Sequence, residues 1–236
     1  MRIRNLECLA TRNNMSKLFF KNPIVKHAVQ TALSLLAFAF VGTLMLAYVF
    51  DITRAPIEAS EKEARLALFA QILPKGNYDN DLLKTTVQIP ANAQLGNLQP
   101  STANVAKINN KTVAVILEAI AHDGYSGDIK LLIALRADGT ISGVRVLAHK
   151  ETPGLGDYID IAHGDWIKLF NNESVHKTPE AQWQVKKDGG KFDYMVGATI
   201  TPRAVVKAVL KATQFFEANK ATLFSIQTTQ AEKLAQ

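Results

Sequence analysis

A run of 23 residues without one charge, Ala28 to Phe50, constrains this chain more than any other stretch. About 20 apolar residues in a helix cross the hydrocarbon core of a bilayer. This run is rich in Leu, Phe, Val and Met, and Tyr48 sits near one end, where an interfacial anchor belongs. A core helix of that length would carry a polar stripe, and none is present. The apolar region of a cleaved signal spans roughly 7–15 residues, so the run reads as a retained transmembrane helix.

Charge sets its direction. Residues 1–27 hold Arg2, Arg4, Arg12, Lys17, Lys21 and Lys26 against Glu7, which is five of the six net positive charges. The positive-inside rule keeps this basic tail in the cytoplasm and sends the residues after Phe50 across the membrane, into the periplasm of a bacterium. A second start at Met15 leaves the anchor intact. The remainder, 51–236, is close to neutral, which argues against nucleic-acid binding through a basic face. The one cysteine, Cys8, lies before the anchor. The exported part therefore has no disulfide, thiolate metal site or cysteine nucleophile, and any electron transfer there needs another redox group.

Beyond the anchor, Pro56–Leu73 reads as an amphipathic helix that stops at Pro74-Lys75-Gly76-Asn77. Residues 75–110 are polar and read as irregular loop. A domain core is predicted from Lys111. Thr112–Ala121, Ile129–Arg136 and Ile141–Ala148 are strand-like, and Asp138-Gly139 between the last two is a strong hairpin signal. Tyr158–Phe170 reads as helix with a break at His163-Gly164, Trp183-Gln184-Val185 as a short strand, and Pro202 to about Asn219 as a final helix. The fold class is α+β: a single N-terminal transmembrane helix, then one domain with a small antiparallel sheet and flanking helices. The predicted divisions are the basic tail 1–27, the anchor 28–50, a helix and linker 51–110, the main domain 111–220 and a tail 221–236.

Two stretches carry chemistry. In Asp193-Tyr194-Met195-Val196-Gly197-Ala198-Thr199-Ile200-Thr201-Pro202, Thr201 reads as N-cap and Pro202 as the first helical residue. Val205, Val206, Val209 and Phe216 then mark one buried helix face. Thr199 thus stands just ahead of a helix N-terminus, where free N–H groups and the helix dipole favour a phosphate. Gly197 and Ala198 allow close approach to the backbone. The second stretch, Glu151-Thr152-Pro153-Gly154-Leu155-Gly156, offers a carboxylate, a hydroxyl and two glycines. The five histidines form no HxH or HxxxH pair, so no metal site is expected, although His149 and Glu151 lie two residues apart. Ser126 in Gly124-Tyr125-Ser126-Gly127 is not a nucleophile elbow, and no Ser-His-Asp triad is visible. A periplasmic hydrolase is therefore disfavoured. Neither GxGxxG nor GxxxxGK[ST] occurs.

In combination, the N-terminal anchor, GYSG, ETPGLG and DxxxGAT followed by Ile-Thr-Pro resemble the family of FMN-binding G subunits of the bacterial Rnf (Rsx) electron transport complex. The resemblance covers nearly the whole chain. It implies one FMN per chain, joined through its phosphate to the threonine that ends the Asp-x-x-(Ser/Thr)-Gly-Ala-Thr motif, here Thr199. Val196 departs from that motif, where Ser or Thr is usual. Thr201 is the competing acceptor. The resemblance further implies that Glu151, Thr152, Gly154, Leu155 and Gly156 line the flavin site with Gly197 and Ala198, and that residues 111–220 form an FMN-binding domain. It implies a magnesium-dependent flavin transferase that donates FMN from FAD, with Asp193 part of what that enzyme reads. Other members of the complex are the expected partners, and the chain is an electron carrier in a translocase of the bacterial inner membrane, not a stand-alone enzyme. Two alternatives stand beside this reading. One is the sister C subunit of the sodium-translocating NADH:quinone reductase, and the other is a cofactor-free membrane-tethered binding or assembly protein.

Overall fold

The computed structural model describes residues 23–234, with side chains as far as Phe224. The basic tail up to residue 22, with Cys8 and Met15, lies outside the described residues. Two compact units, residues 1–61 and 62–236, divide the chain.

One helix, α1 (Pro23–Ile72, 50 residues), absorbs both the anchor and the segment predicted to be a separate amphipathic helix. It holds more than twice the roughly 20 residues that cross a bilayer. Pro56 lies inside it. A proline costs one backbone hydrogen bond, but it does not end the helix here. Strong helix formers (Ala, Glu, Lys, Arg, Leu) follow it, and the Arg54–Glu58 pair at 2.8 Å bridges the position. The apolar side chains from Leu33 to Phe50 are open on all sides, among them Phe38 at 79% and Leu46 at 74%. That pattern suits lipid rather than a protein core.

In the second unit a five-stranded antiparallel sheet runs in sequence order: β1 (Thr86–Ile89), β2 (Ser101–Ile108), β3 (Lys111–Ala121), β4 (Ile129–Arg136) and β5 (Ile141–Ala148). The sheet thus begins at Thr86 rather than Lys111, and the region expected to be loop supplies two strands. The reason is local. Asn109 and Asn110 both adopt positive φ, 48° and 63°, which is the backbone of a two-residue hairpin turn. The predicted Asp-Gly hairpin forms between β4 and β5, where Asp138 Oδ1 accepts from the Thr140 N–H at 2.9 Å and from its hydroxyl at 2.6 Å.

Both faces of the sheet are covered, and alternation along β3 shows how. Val115, Leu117, Ala119 and Ala121 face one core cluster with helix α2 (Ile200–Leu234), whereas Ala114 and Ile116 face a second one with Phe69, Ile72 and Leu73. Two-sided burial explains why β3 and β4 read as nearly continuous apolar runs. The C-terminal turn of α1 lies directly on β5. A Cβ on Gly143 would stand 2.9 Å from Ile72 Cα. Gly143→Ala is expected to destabilise by about 1–3 kcal/mol through overpacking, seen as a lowered thermal unfolding midpoint.

Other predicted elements take different forms. Tyr158–Phe170 holds two short 3-10 turns, Gly156–Ile159 and Trp166–Phe170, on either side of the His163-Gly164 break. Val185 makes a single parallel bridge to Phe192 in place of a strand. α2 runs to Leu234, well past Asn219. The segment 156–194 has little regular structure and is held by rings instead. Phe170 packs on Trp166, Trp183 and Phe192 at centroid distances of 5.4, 6.3 and 4.8 Å.

Candidate functional site

α2 begins two residues earlier than the Thr201-Pro202 pair predicts. Ile200 is its first residue, and the Thr199 carbonyl accepts from the Arg203 N–H at 3.4 Å. Thr199 is therefore the N-cap residue, and Thr201 lies within the first turn. Thr201 cannot cap because its hydroxyl donates to Glu151 Oε2 at 2.6 Å, and the residue is 1% exposed. Pro202 remains tolerable there, since first-turn N–H groups lack an intrahelical acceptor in any case. Ile200 and Thr201 are left as backbone donors beside Thr199.

The segment leading to Thr199 is fixed at three points. Trp166 Nε1 donates to the Asp193 carbonyl at 2.7 Å. The Met195 N–H donates to the Tyr158 hydroxyl at 3.2 Å, and the Ala198 N–H to the Met195 carbonyl at 3.1 Å. Burial raises the pKa of Tyr158 above its ordinary value, although the Met195 bond opposes the shift, so the phenol stays neutral. Asp193 pairs with Lys186. Gly197 takes φ +91°, with open space where a Cβ would stand.

Glu151 ties three segments together. Its Oε1 accepts from the Ser126 N–H at 3.1 Å and its Oε2 from Thr201. Its own N–H donates to His149 Nδ1 at 3.1 Å, which leaves the His149 proton on Nε2, toward Asp160 at 3.9 Å. His149 and Glu151 are thus backbone and side-chain partners rather than a pair of metal ligands. Among the described residues no group of three His, Cys, Asp or Glu is placed to hold a metal. Gly156 makes room for the clasp, since a Cβ there would meet Glu151 Oε2 at 2.7 Å and Thr201 Oγ1 at 2.9 Å.

These contacts enclose a cavity of about 330 Å³ lined by Tyr125, Glu151, Thr152, Leu155, Gly156, Gly197, Ala198, Thr199, Ile200 and Thr201. The volume is in the range of small-molecule and cofactor sites. Seven of the eight residues singled out from sequence meet in one wall, which joins the loop after β5 to the start of α2. Gly154 does not line it. That residue takes φ +75° in an exposed turn. Tyr125, Ile200 and Thr201 line the cavity too. Tyr125 belongs to GYSG, but nothing in the sequence fixes its direction; it is 68% exposed at the rim. The side chains suit a flat ring with a phosphate tail: Tyr125, Leu155 and Ile200 are apolar or aromatic, and hydroxyls and helix-start donors gather at the other groups.

Comparison with known proteins fits this geometry. Residues 124–214 match the family model described as FMN-binding domain, and they contain every residue of the cavity. Residues 15–72 match the RnfG N-terminal region, which ends where α1 ends. A Pseudomonas aeruginosa protein, named as the G subunit of an ion-translocating oxidoreductase complex, is 47% identical over 197 residues, 84% of this chain and 92% of its own length. Proteins of the same name from Pseudoalteromonas atlantica and Aliivibrio fischeri are 41% and 39% identical, covering 87% and 84% of this chain and 96% and 94% of their own lengths. The chain belongs to the RnfG family of ion-translocating oxidoreductase complexes. This chain joins an apolar N-terminal helix to an FMN-binding domain, and strands β1–β3 lie between the two matched regions.

The loop that carries Tyr125 and Ser126 in this RnfG-family chain is braced by His122. Nδ1 of His122 lies 2.8 Å from Asp128 Oδ1 and Nε2 lies 2.7 Å from the Gly96 carbonyl. Two acceptors call for two protons. The Asp128 bond, then the Gly96 bond, raise the His122 pKa above 6.5. The stabilising contribution is complete below the unfolded value and is lost as pH rises through the folded one. Wild type should exceed His122→Gln in denaturant midpoint at roughly pH 5.5, and the gap should narrow by roughly pH 8.5.

Proposed function

We propose that this chain is a membrane-anchored electron carrier of an ion-translocating oxidoreductase complex, with one FMN joined through its phosphate to Thr199. The observation that carries the reading is the convergence of Thr199, at the start of α2, with Glu151, Thr152, Leu155, Gly156, Gly197 and Ala198 around one cavity. The bound flavin supplies the redox chemistry. Tyr125, Leu155 and Ile200 would hold the ring, and the first-turn N–H groups of α2, which have no helical partner, would hold the phosphate.

Attachment follows from the same groups. With FAD as donor, the Thr199 hydroxyl would be the nucleophile: a Thr199 O–P bond would replace the P–O–P bond at the flavin-side phosphorus, AMP would leave, and the hydroxyl proton would pass to the transferase. Thr199 is half-buried and lines the cavity with Ala198, whereas the Thr201 hydroxyl is already engaged by Glu151. Val196, 84% exposed, points away from any buried partner, so the missing hydroxyl of the usual Ser or Thr costs the folded domain nothing. Asp193 is exposed beside Lys186, open to a transferase that reads the motif.

Membership of the relatives in an ion-translocating complex, together with the lipid-suited α1, supports a single-pass inner-membrane protein. The charge balance around the anchor supports a periplasmic flavin domain. The sister C subunit of the quinone reductase would share the cofactor chemistry, but the match to the RnfG N-terminal region favours the Rnf complex. A cofactor-free tether leaves the cavity without a role. Purified full-length protein, made with the flavin transferase, should be yellow with flavin absorption bands that bleach on dithionite addition. Colourless protein would contradict the proposal.

A further inference from the structure

Glu151 is 4% exposed, and its two carboxylate oxygens accept only from neutral donors, the Ser126 N–H and the Thr201 hydroxyl. Both oxygens are thus placed to accept, the arrangement a carboxylate makes. Among the described residues no Lys, Arg or His forms an ion pair with Glu151: Arg203 pairs with Asp188, Lys207 with Asp123 and Lys186 with Asp193, His149 lies toward Asp160, and the Lys150 side chain is exposed. The cavity wall thus carries a buried carboxylate with no basic side chain in contact, which is uncommon. Two hydrogen bonds fix it in place, and the absent Cβ of Gly156 leaves it the room.

A charge so held is expensive unless it is used. Glu151 itself lines the cavity, so a flavin seated there lies against the wall that carries its charge, and partly buried charges are screened less than exposed ones. Putting electrons into a flavin adds negative charge to it. We propose that Glu151 acts as a fixed electrostatic element that holds the reduction potential of the flavin down, a positioning and tuning residue that need not touch the reacting atoms. The inference rests on the reading that this cavity holds the flavin.

The test uses full-length, flavin-loaded protein in detergent and a spectroelectrochemical titration. Glu151→Gln keeps the shape and removes the charge: its amide oxygen can still accept from the Ser126 N–H, and its NH2 can donate to the Thr201 hydroxyl. It should raise the midpoint potential, shifting the oxidised–reduced equilibrium at least tenfold, or about 30 mV for a two-electron couple. Thr201→Val keeps the charge and removes one of its donors, so it should lower the potential. An unchanged or lowered potential in Glu151→Gln overturns the assignment. A rise in both variants also overturns it, because it reports loosening of the clasp rather than charge. Should Glu151→Gln fail to load flavin, Thr201→Val decides alone, and an unchanged or raised potential is then the contrary result. A wild type without flavin defeats the underlying reading; a loaded wild type with an unshifted Glu151→Gln defeats this inference only.

Discussion

Thr199→Ala should abolish covalent flavin on the chain while leaving the fold in place. The substitution removes one hydroxyl at the N-cap position and leaves the Thr199 carbonyl that accepts from Arg203. Cap loss costs about 1 kcal/mol, a small part of the roughly 5–15 kcal/mol that holds a domain together. The flavin fluorescence that survives a denaturing gel should vanish, and the circular dichroism spectrum should not change. Thr201→Ser, which keeps the bond to Glu151, should retain the fluorescent band. If Thr199→Ala keeps that band, the acceptor lies elsewhere.

Phe170→Ala should have the largest effect on stability. Its ring is fully buried and packs against Trp166, Trp183 and Phe192. Truncation of a buried phenylalanine costs about 3–5 kcal/mol, because transfer free energy is lost and the cavity collapses only in part. The damage should concentrate in the segment 156–194, which has few backbone ladders to fall back on. Since Trp166 carries the bond to the Asp193 carbonyl, flavin loading should fall along with the unfolding midpoint. Chemical denaturation and gel fluorescence on the same preparation would check both effects. A midpoint unchanged from wild type would mean that the rings do not hold this segment.

How much of the molecule is legible in its sequence depends on the range of the interaction that fixes each part. β3, β4 and β5, the Asp138-Gly139 turn and the apolar face of α2 follow from local pattern, and all appear where expected. β1 and β2 do not, since both lie in polar surroundings and β1 has only four residues. The pair Asn109-Asn110 is their available signal, as this residue type tolerates positive φ. The cap at Thr201 is misplaced for a different reason. Thr201 and Pro202 are good local cap chemistry, but a long-range bond from Thr201 to Glu151, 50 positions away, claims the hydroxyl. The same bond shows why Glu151 and the 193–202 stretch, two separate signals along the chain, form one site. Gly154 belongs to the lining by its motif, yet its positive φ serves the turn of the loop. Tyr125 needs the brace at His122 to be placed at all.

The most direct test of the central claim is the mass of the tryptic peptide Phe192–Arg203 from full-length protein made with the flavin transferase. The expected peptide is heavier by one phosphate-linked FMN, with fragmentation placing the added mass on Thr199. An unmodified peptide, or one carrying the flavin on Thr201, would contradict it.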